Sequence, residues 1–336
     1  MLLECHRLSK QAPTDRCANK KRNPKLNMPS NIKTNSLRAW FLAARPKTLT
    51  AALVPVAIAN ALAFVVAKES LHSFSTTIMG LTLLFAVVMQ IMANFINDYV
   101  DFINGTDDET RIGPERACAM GWISPQAMRI GIGVSLTLAM FIGLYAVFAF
   151  FEVFGHMPWP MFGVGFLCMV FAFLYSTYCS YHALGDLLVL VFFGFIPVAG
   201  TYYLHFATCN EAGLWPMALG CGAAICTLLT VNNIRDRHQD KEHGKTTLVV
   251  VCGEKLGFLL YLIYGLIAAA CQGYFLSRHT AIGIATGTAA ATCIFNLLAF
   301  MKIKRIGNGK NLNKMLAVTS LIILFYGVST IAALLL

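Results

Sequence analysis

Asn94, Asn97, Asp98 and Asp101 stand together in one polar stretch of an otherwise apolar chain, and Asn232, Asn233, Asp236 and Asp240 stand together in a second. On a helix, Asn94 and Asp98 are four residues apart and Asp98 and Asp101 three apart, which projects all three from one face. The steps from Asn233 to Asp236 and from Asp236 to Asp240 repeat those spacings. Nine of the sixteen acidic residues lie in or just after these stretches: Asp98, Asp101, Asp107, Asp108, Glu109, Glu115, Asp236, Asp240 and Glu242. A carboxylate at bilayer depth costs about 2.5 to 3.5 kcal/mol even on insertion scales, so such a concentration calls for a compensating partner. Oxygen-only donors suit a divalent cation, and magnesium takes one or two carboxylates together with water and phosphate oxygens. Two such faces meeting inside a bundle would hold ions around a diphosphate. The competing reading is a pair of helix ends with solvated acids; the doubling of the pattern, with amides one turn before the acids, argues against it.

Cations follow each acidic face. Arg111 and Arg116 sit in a loop whose turns are marked by Gly105, Gly113 and Pro114, and their guanidinium forks suit phosphate oxygens. Arg235, Arg237, Lys241 and Lys245 accompany the second face. A diphosphate leaving group needs its developing charge neutralised, and cations in a water-poor site do that well. Arg45 and Lys47 flank Pro46 before the first apolar run, where they reach such a pocket or anchor at lipid headgroups. Tyr175, Tyr178 and Tyr181 close the fourth run, either as an interfacial belt or as aromatic faces for an allylic cation, and Asp186 opens the fifth.

The elements that must position these residues are membrane helices. With 57% hydrophobic and 12% charged residues and a mean hydropathy of +0.65, the chain lies outside the range of soluble domains. Nine apolar runs of roughly 20 residues are long enough to span about 30 Å of hydrocarbon. They cover 48–66, 75–98, 126–151, 157–179, 186–206, 214–233, 256–277, 280–301 and 314–335. Continuous apolar runs without strict alternation predict helices rather than a barrel. The fold class is therefore all-α integral membrane, with a single membrane domain over 36–336.

Lys and Arg set the orientation. Eleven precede the first span, three lie in 111–129, five in 235–255 and five in 302–314, while the opposite loops hold Lys68 and Arg278 alone. Both acidic stretches are thereby expected to face the cytoplasm. The net charge of +10 needs no nucleic-acid partner, because this bias and the basic tail account for it and membrane lipids suffice. Residues 1–35 are polar and basic without the apolar core of a signal peptide, and are expected to lack fixed structure, with Met28 an alternative start. Eleven cysteines without a Cys-x-x-Cys pair read as packing residues. His182, His205, His238 and His243 form no metal spacing. Gly194 and Gly200 read as points of close helix packing.

The first acidic motif resembles the Asn-x-x-x-Asp-x-x-Asp signature of the intramembrane aromatic prenyltransferases of the UbiA type, and the second resembles their Asp-x-x-x-Asp signature. Three strings are similar to the branch that prenylates 1,4-dihydroxy-2-naphthoate: Asn97 to Arg116 with its Arg-Ile-Gly-Pro-Glu-Arg run, Gly185 to Gly194, and Asn232 to Leu248. The resemblance runs from about Ser36 onward and implies nine helices around a central cavity that opens sideways for a prenyl tail. It implies that Asp98, Asp101, Asp236 and Asp240 hold Mg2+ on a polyprenyl diphosphate as the catalytic set. Asn94, Asn97, Asn232 and Asn233 would support that site. Arg111, Arg116, Lys241 and Lys245 would bind the diphosphate or the acceptor's carboxylate, and Arg45, Lys47 and Tyr178 are further substrate-binding candidates from the residue reading above. The reaction implied is alkylation of 1,4-dihydroxy-2-naphthoate with loss of carbon dioxide, giving demethylmenaquinone for menaquinone biosynthesis in the cell inner membrane.

Within that family 4-hydroxybenzoate, homogentisate or a haem are alternative acceptors, since the metal motifs do not read the ring. An ion-coupled transporter is the reading from another class. Transporters place such groups near the bilayer midplane, whereas these sit at helix ends beside basic loops.

Overall fold

The computed structural model describes residues 32–336 apart from 71–72, 107–110 and 178–181. Every element described is a helix, as it must be where backbone groups cannot turn to water for hydrogen bonds. Ser36 accepts a hydrogen bond from the Ala39 amide and opens α1 (Leu37–Ala43). A 3-10 turn over Pro46–Thr48 leads into α2 (Leu49–Ser70). Ser75 caps α3 (Thr76–Asn104), and Ser124 with Pro125 behind it caps α4 (Pro125–Phe154). α5 is Trp159–Thr177. α6 (Gly185–Leu190) runs through a π-helical turn (Val191–Phe195) into α7 (Ile196–Phe206). Then come α8 (Leu214–Glu242), the short α9 (Leu248–Cys252), α10 (Glu254–Ser277), α11 (Ile282–Ile306) and α12 (Leu312–Leu335).

α8 is the hub. It packs against α6, the π turn, α7, α10 and α12, and 72% of its most apolar window is buried, against 22% for α11 at the periphery. α2 meets α3 and α7 on one side and α12 on the other, which closes the bundle into a ring. Ile58, Leu62, Met217, Cys221, Phe275 and Tyr326 fill its main core. Phe141, Phe148, Ile282 and Leu298 stay exposed on the outer faces, as hydrocarbon allows and water does not.

Among the described residues eight helical segments are long and apolar enough to cross a membrane, and the ninth expected span is the shorter helix α5. Two expected spans differ at their ends. α3 continues to Asn104 and α8 to Glu242, so both acidic motifs lie inside helices and not beyond them. Helical hydrogen bonding does not stop where hydropathy falls, provided the polar side chains find partners of their own. Thr34 and Asn35, assigned from sequence to the extension, are docked: the Asn35 amide donates to the Trp122 carbonyl at 2.8 Å and Asn35 Oδ1 accepts from the Ser124 amide at 3.0 Å. Residues 1–31, including Met28, lie outside the described residues.

The π turn meets α8 backbone to backbone. A Cβ on Gly194 would lie 2.4 Å from the Ala218 carbonyl oxygen, and one on Gly222 would lie 2.9 Å from the Leu190 Cα. Gly194 thus has the packing role expected of it, and its contact sets Phe192 and Phe193 against an internal apolar cavity. Gly200 does not: a Cβ there meets nothing within 4 Å, because the residue borders the cavity itself. Gly194→Ala is expected to lower the melting midpoint of the detergent-solubilised protein, by the equivalent of about 1 to 3 kcal/mol of overpacking. Gly200→Ala should leave the midpoint at the wild-type value, and equal midpoints for the two variants would refute the packing role.

Candidate active site

Two cavities meet at the end of the bundle where α3 and α8 carry their acids. One is polar, about 800 Å³, and is lined by Asn97 and Asp101 from α3 and by Asn232, Asn233, Asp236 and Asp240 from α8. The other is apolar, with walls that include Phe85, Met89, Phe162, Met169, Phe192 and Phe193. Thr48, Asn97, Tyr175, Leu228, Leu229 and Asn232 line both, so the two are continuous. A single stripe of α8, running Ile225, Leu228, Leu229, Asn232, Asp236, Asp240, passes from the apolar to the polar cavity at helical spacing. The combined shape suits a ligand with an anionic head and a long apolar tail.

The first motif divides between two jobs. Asn97 and Asp101 face the cavity, whereas Asn94 and Asp98 do not line it. Asn94 is buried and donates to the Ala44 carbonyl at 2.9 Å and to Thr48 Oγ1 at 3.0 Å, which ties α3 to the turn bearing Arg45 and Lys47. Asp98 is 1% exposed; Oδ2 accepts from the Ala117 amide at 2.8 Å and Oδ1 from the Cys118 amide at 2.9 Å. Arg45 Nη2 lies 3.8 Å from the same carboxylate. Each of its oxygens thus holds an amide of the loop after α3, and the residue expected to ligate a metal ion stands behind the cavity wall. Holding residues 117 and 118 fixes their neighbour Arg116, whose Nη2 donates to Asp101 Oδ2 at 2.6 Å. Asp101 also accepts from Thr106 and lies 3.4 Å from Lys245 Nζ.

The second motif is held from behind. Arg235, 3% exposed and not selected from sequence, clasps Asp236 in a fork with Nε and Nη2 at 2.7 and 2.6 Å from the two oxygens. Its third nitrogen donates to Asn313 Oδ1 on α12 at 2.8 Å, and Asn313 donates onward to the Ile112 carbonyl at 3.0 Å. The loop after α3 is thereby tied to α8 and α12. Asp240 lines the cavity with no hydrogen bond or ion pair of its own side chain among the described residues.

Among the described residues six cationic side chains, Arg45, Lys47, Arg111, Arg116, Arg235 and Lys245, border the polar cavity against four carboxylates, Asp101, Asp186, Asp236 and Asp240. That excess favours an anionic ligand. Arg45 sits in the left-handed region at φ +51°, and its buried Nη2 finds no hydrogen-bond acceptor among the described residues, so the cavity placement prevails over a headgroup anchor. Lys241, expected among the substrate-binding cations, is exposed at the end of α8 and does not line the cavity. Lys245 does reach it, because the chain reverses at Gly244. Tyr178, Tyr181, Asp107, Asp108 and Glu109 lie outside the described residues. Tyr175 is placed at the junction of the cavities and not in an outer belt. His205 is buried and bonded to Asn60 Oδ1 at 2.9 Å.

Among the described residues no three His, Cys, Asp or Glu side chains gather closely enough to hold a metal alone. Asp101, Asp236 and Asp240 instead border one cavity from two helices, with amides beside them. This donor set fits magnesium completed by phosphate oxygens and water better than a closed protein cage.

Residues 52–335 match the UbiA prenyltransferase family. The 1,4-dihydroxy-2-naphthoate octaprenyltransferase of Haemophilus influenzae is 33% identical over 264 residues, covering 78% of this chain and 82% of the relative. That of Escherichia coli is 35% identical over 223 residues, covering 65% of this chain and 69% of the relative. Among solved structures, a UbiA homolog from Archaeoglobus fulgidus bound to DMAPP and Mg2+ superposes with a TM-score of 0.58 over 88% of this chain and 99% of that one. At 15% identity that likeness speaks for the fold.

Asp98→Ala is expected to free the loop after α3, with trypsin cutting at Arg111 or Arg116 faster than in wild type and a stability loss of about 1 to 3 kcal/mol from the two orphaned amides. Asp240→Ala should leave cleavage rate and melting midpoint unchanged. Indistinguishable digestion of the two variants would remove the loop-holding role from Asp98.

Proposed function

This chain belongs to the UbiA prenyltransferase family, and from that membership we propose that it transfers a polyprenyl group from a polyprenyl diphosphate to 1,4-dihydroxy-2-naphthoate. Carbon dioxide is lost, and the product is demethylmenaquinone in its reduced form, for menaquinone biosynthesis. The observation that carries the reaction type is the cation-lined polar cavity opening into an apolar one. The acceptor follows from relatives named as 1,4-dihydroxy-2-naphthoate octaprenyltransferases.

In this reading Arg45, Arg111, Arg116, Lys47 and Lys245 bind the diphosphate and the acceptor's carboxylate. Asp101, Asp236 and Asp240, supported by Asn97, Asn232 and Asn233, hold magnesium against the diphosphate. When bound, the ion neutralises charge on the leaving group as a Lewis acid. Arg116 and Lys245, which pair with Asp101 in the structure, stand ready to move onto phosphate oxygens. The apolar cavity takes the prenyl chain and keeps water from the allylic carbon as its bond to oxygen breaks. Tyr175, at the junction, presents an aromatic ring where the allylic cation forms. The protein is a multi-pass membrane protein, and the basic loops after α3 and α8 support a cytoplasmic-membrane location with the site on the cytoplasmic side.

Membranes containing the protein, supplied with farnesyl or geranylgeranyl diphosphate, magnesium and 1,4-dihydroxy-2-naphthoate, are expected to yield a prenylated, decarboxylated naphthoquinol detected by mass spectrometry. Omitting magnesium should abolish it, and Asp236→Ala should lower it at least about 100-fold with the protein still inserted. Product formed from 4-hydroxybenzoate in place of the naphthoate would overturn the acceptor assignment.

A further inference from the structure

Asp186 is a buried carboxylate that no role above employs. It stands in the first turn of α6, is 6% exposed, and lines the polar cavity. Tyr264 of α10 donates its hydroxyl to Oδ1 at 3.0 Å. The Cys226 thiol of α8 points at the Asp186 backbone carbonyl at 3.5 Å, and so leaves the carboxylate alone. The carboxyl also takes a hydrogen bond from its own backbone amide at the helix start.

Its position along the cavity is defined by its neighbours. Leu188 and Val189, within one turn on the same helix, line the apolar cavity, while Gly185 and Asp186 line the polar one. A Cβ on Gly185 would lie 3.7 Å from Leu229 Cδ2 and 4.0 Å from the Tyr175 hydroxyl, and both of those residues border the two cavities together. Asp186 therefore sits where head and tail of an amphipathic donor must join. An acceptor ring that attacks the allylic carbon has to lie there too.

Two of the other three cavity acids differ from it in having a cation, and the third, Asp240, lies two turns of α8 beyond Asn232, the last residue of that helix common to both cavities. Asp101 is paired with Arg116 and Lys245, and Asp236 with Arg235. A carboxylate held by a guanidinium keeps its charge and is a poor proton acceptor. Asp186 has no Lys or Arg within ion-pair distance among the described residues; the titratable groups facing it are the hydroxyls of Tyr264 and Tyr175 and the Cys226 thiol.

We propose that Asp186, oriented by Tyr264, is the base that takes the proton from the acceptor's ring hydroxyl during prenyl transfer, an inference that rests on the function proposed above. As the hydroxyl proton passes to the carboxylate, its oxygen forms a carbonyl. The ring carbon beside it bonds the allylic carbon, whose bond to the diphosphate oxygen breaks with the electron pair leaving on diphosphate. The new centre is a β-keto carboxylate. Loss of carbon dioxide returns an electron pair through the ring to the carbonyl oxygen, which recovers its proton from Asp186. The proton is lent and returned, so the net reaction consumes the diphosphate ester and the naphthoate and releases carbon dioxide and diphosphate.

Asp186→Asn is expected to reduce kcat at neutral pH at least about 100-fold, the scale of a lost general base. The deficit should shrink as pH rises toward about 10, where a phenolic hydroxyl ionises unaided. Magnesium-dependent binding of the prenyl diphosphate should persist, and Asp186→Glu should recover part of kcat. Tyr264→Phe should cost less than Asp186→Asn, as fits a positioning residue. An undiminished kcat, a loss equal at every pH, or loss of donor binding would each overturn the assignment. Wild type is assayed in parallel with 1,4-dihydroxy-2-naphthoate and 4-hydroxybenzoate. Prenylation of the hydroxybenzoate alone would sink the naphthoate reading while leaving the same comparison of Asp186 variants decisive on that acceptor. Alkylation of neither would overturn both.

Discussion

Carboxylates inside an apolar bundle have to be met by cations or by amide hydrogens, because the surrounding apolar side chains and lipid tails supply neither. Three acids near the ends of α3 and α8 are each met differently. Asp98 takes two backbone amides, Asp101 takes Arg116 and Lys245, and Asp236 takes the fork of Arg235. These are not equivalent solutions. Amides bonded to Asp98 pull the loop after α3 across the helix ends, and that loop brings Arg111 and Arg116 over the cavity. Arg235, bonded onward through Asn313 to Ile112, fastens the same loop from the opposite side. Satisfying buried charge is what builds the roof of the site.

The roof matters because of what lies beneath it. A diphosphate with a polyprenyl tail is half ion and half hydrocarbon, and the two joined cavities divide along the same line. α8 carries the transition within one stripe, from Ile225 through Asn232 to Asp240. The Gly194 and Gly222 contact lets the π turn press against that helix, so aromatic side chains close the apolar wall next to the polar one. An acid at the boundary without a cation, Asp186, occupies the position where bond making would occur.

Much of this was legible in the chain. The helices follow from apolar runs of spanning length, the polar breaks mark the site, and the pairing of acids with following cations states its preference for an anionic ligand. Three details were not legible. Asp98 and Asp101 share a helix face by spacing, yet three residues leave them about 60° apart around the axis, enough to send one to a loop and the other to the cavity. Lys241 and Lys245 look alike in composition, but only the residue after the reversal at Gly244 turns inward. Arg235 read as one of four cations beside the second face, and the structure buries it, with Asn313 of α12 bonded to it.

Sequence by itself determined the membrane-helical fold, the family signature and the class of ligand, since hydropathy and residue spacing are properties of single segments. Which carboxylate holds the loop, which faces the donor, and that Asp186 and Tyr264 from two further helices join them were decided by tertiary structure alone. Hydrogen bonds and ion pairs act over about 3 to 4 Å, and separations that short between α3, α6, α8 and α10 exist only once the helices are packed.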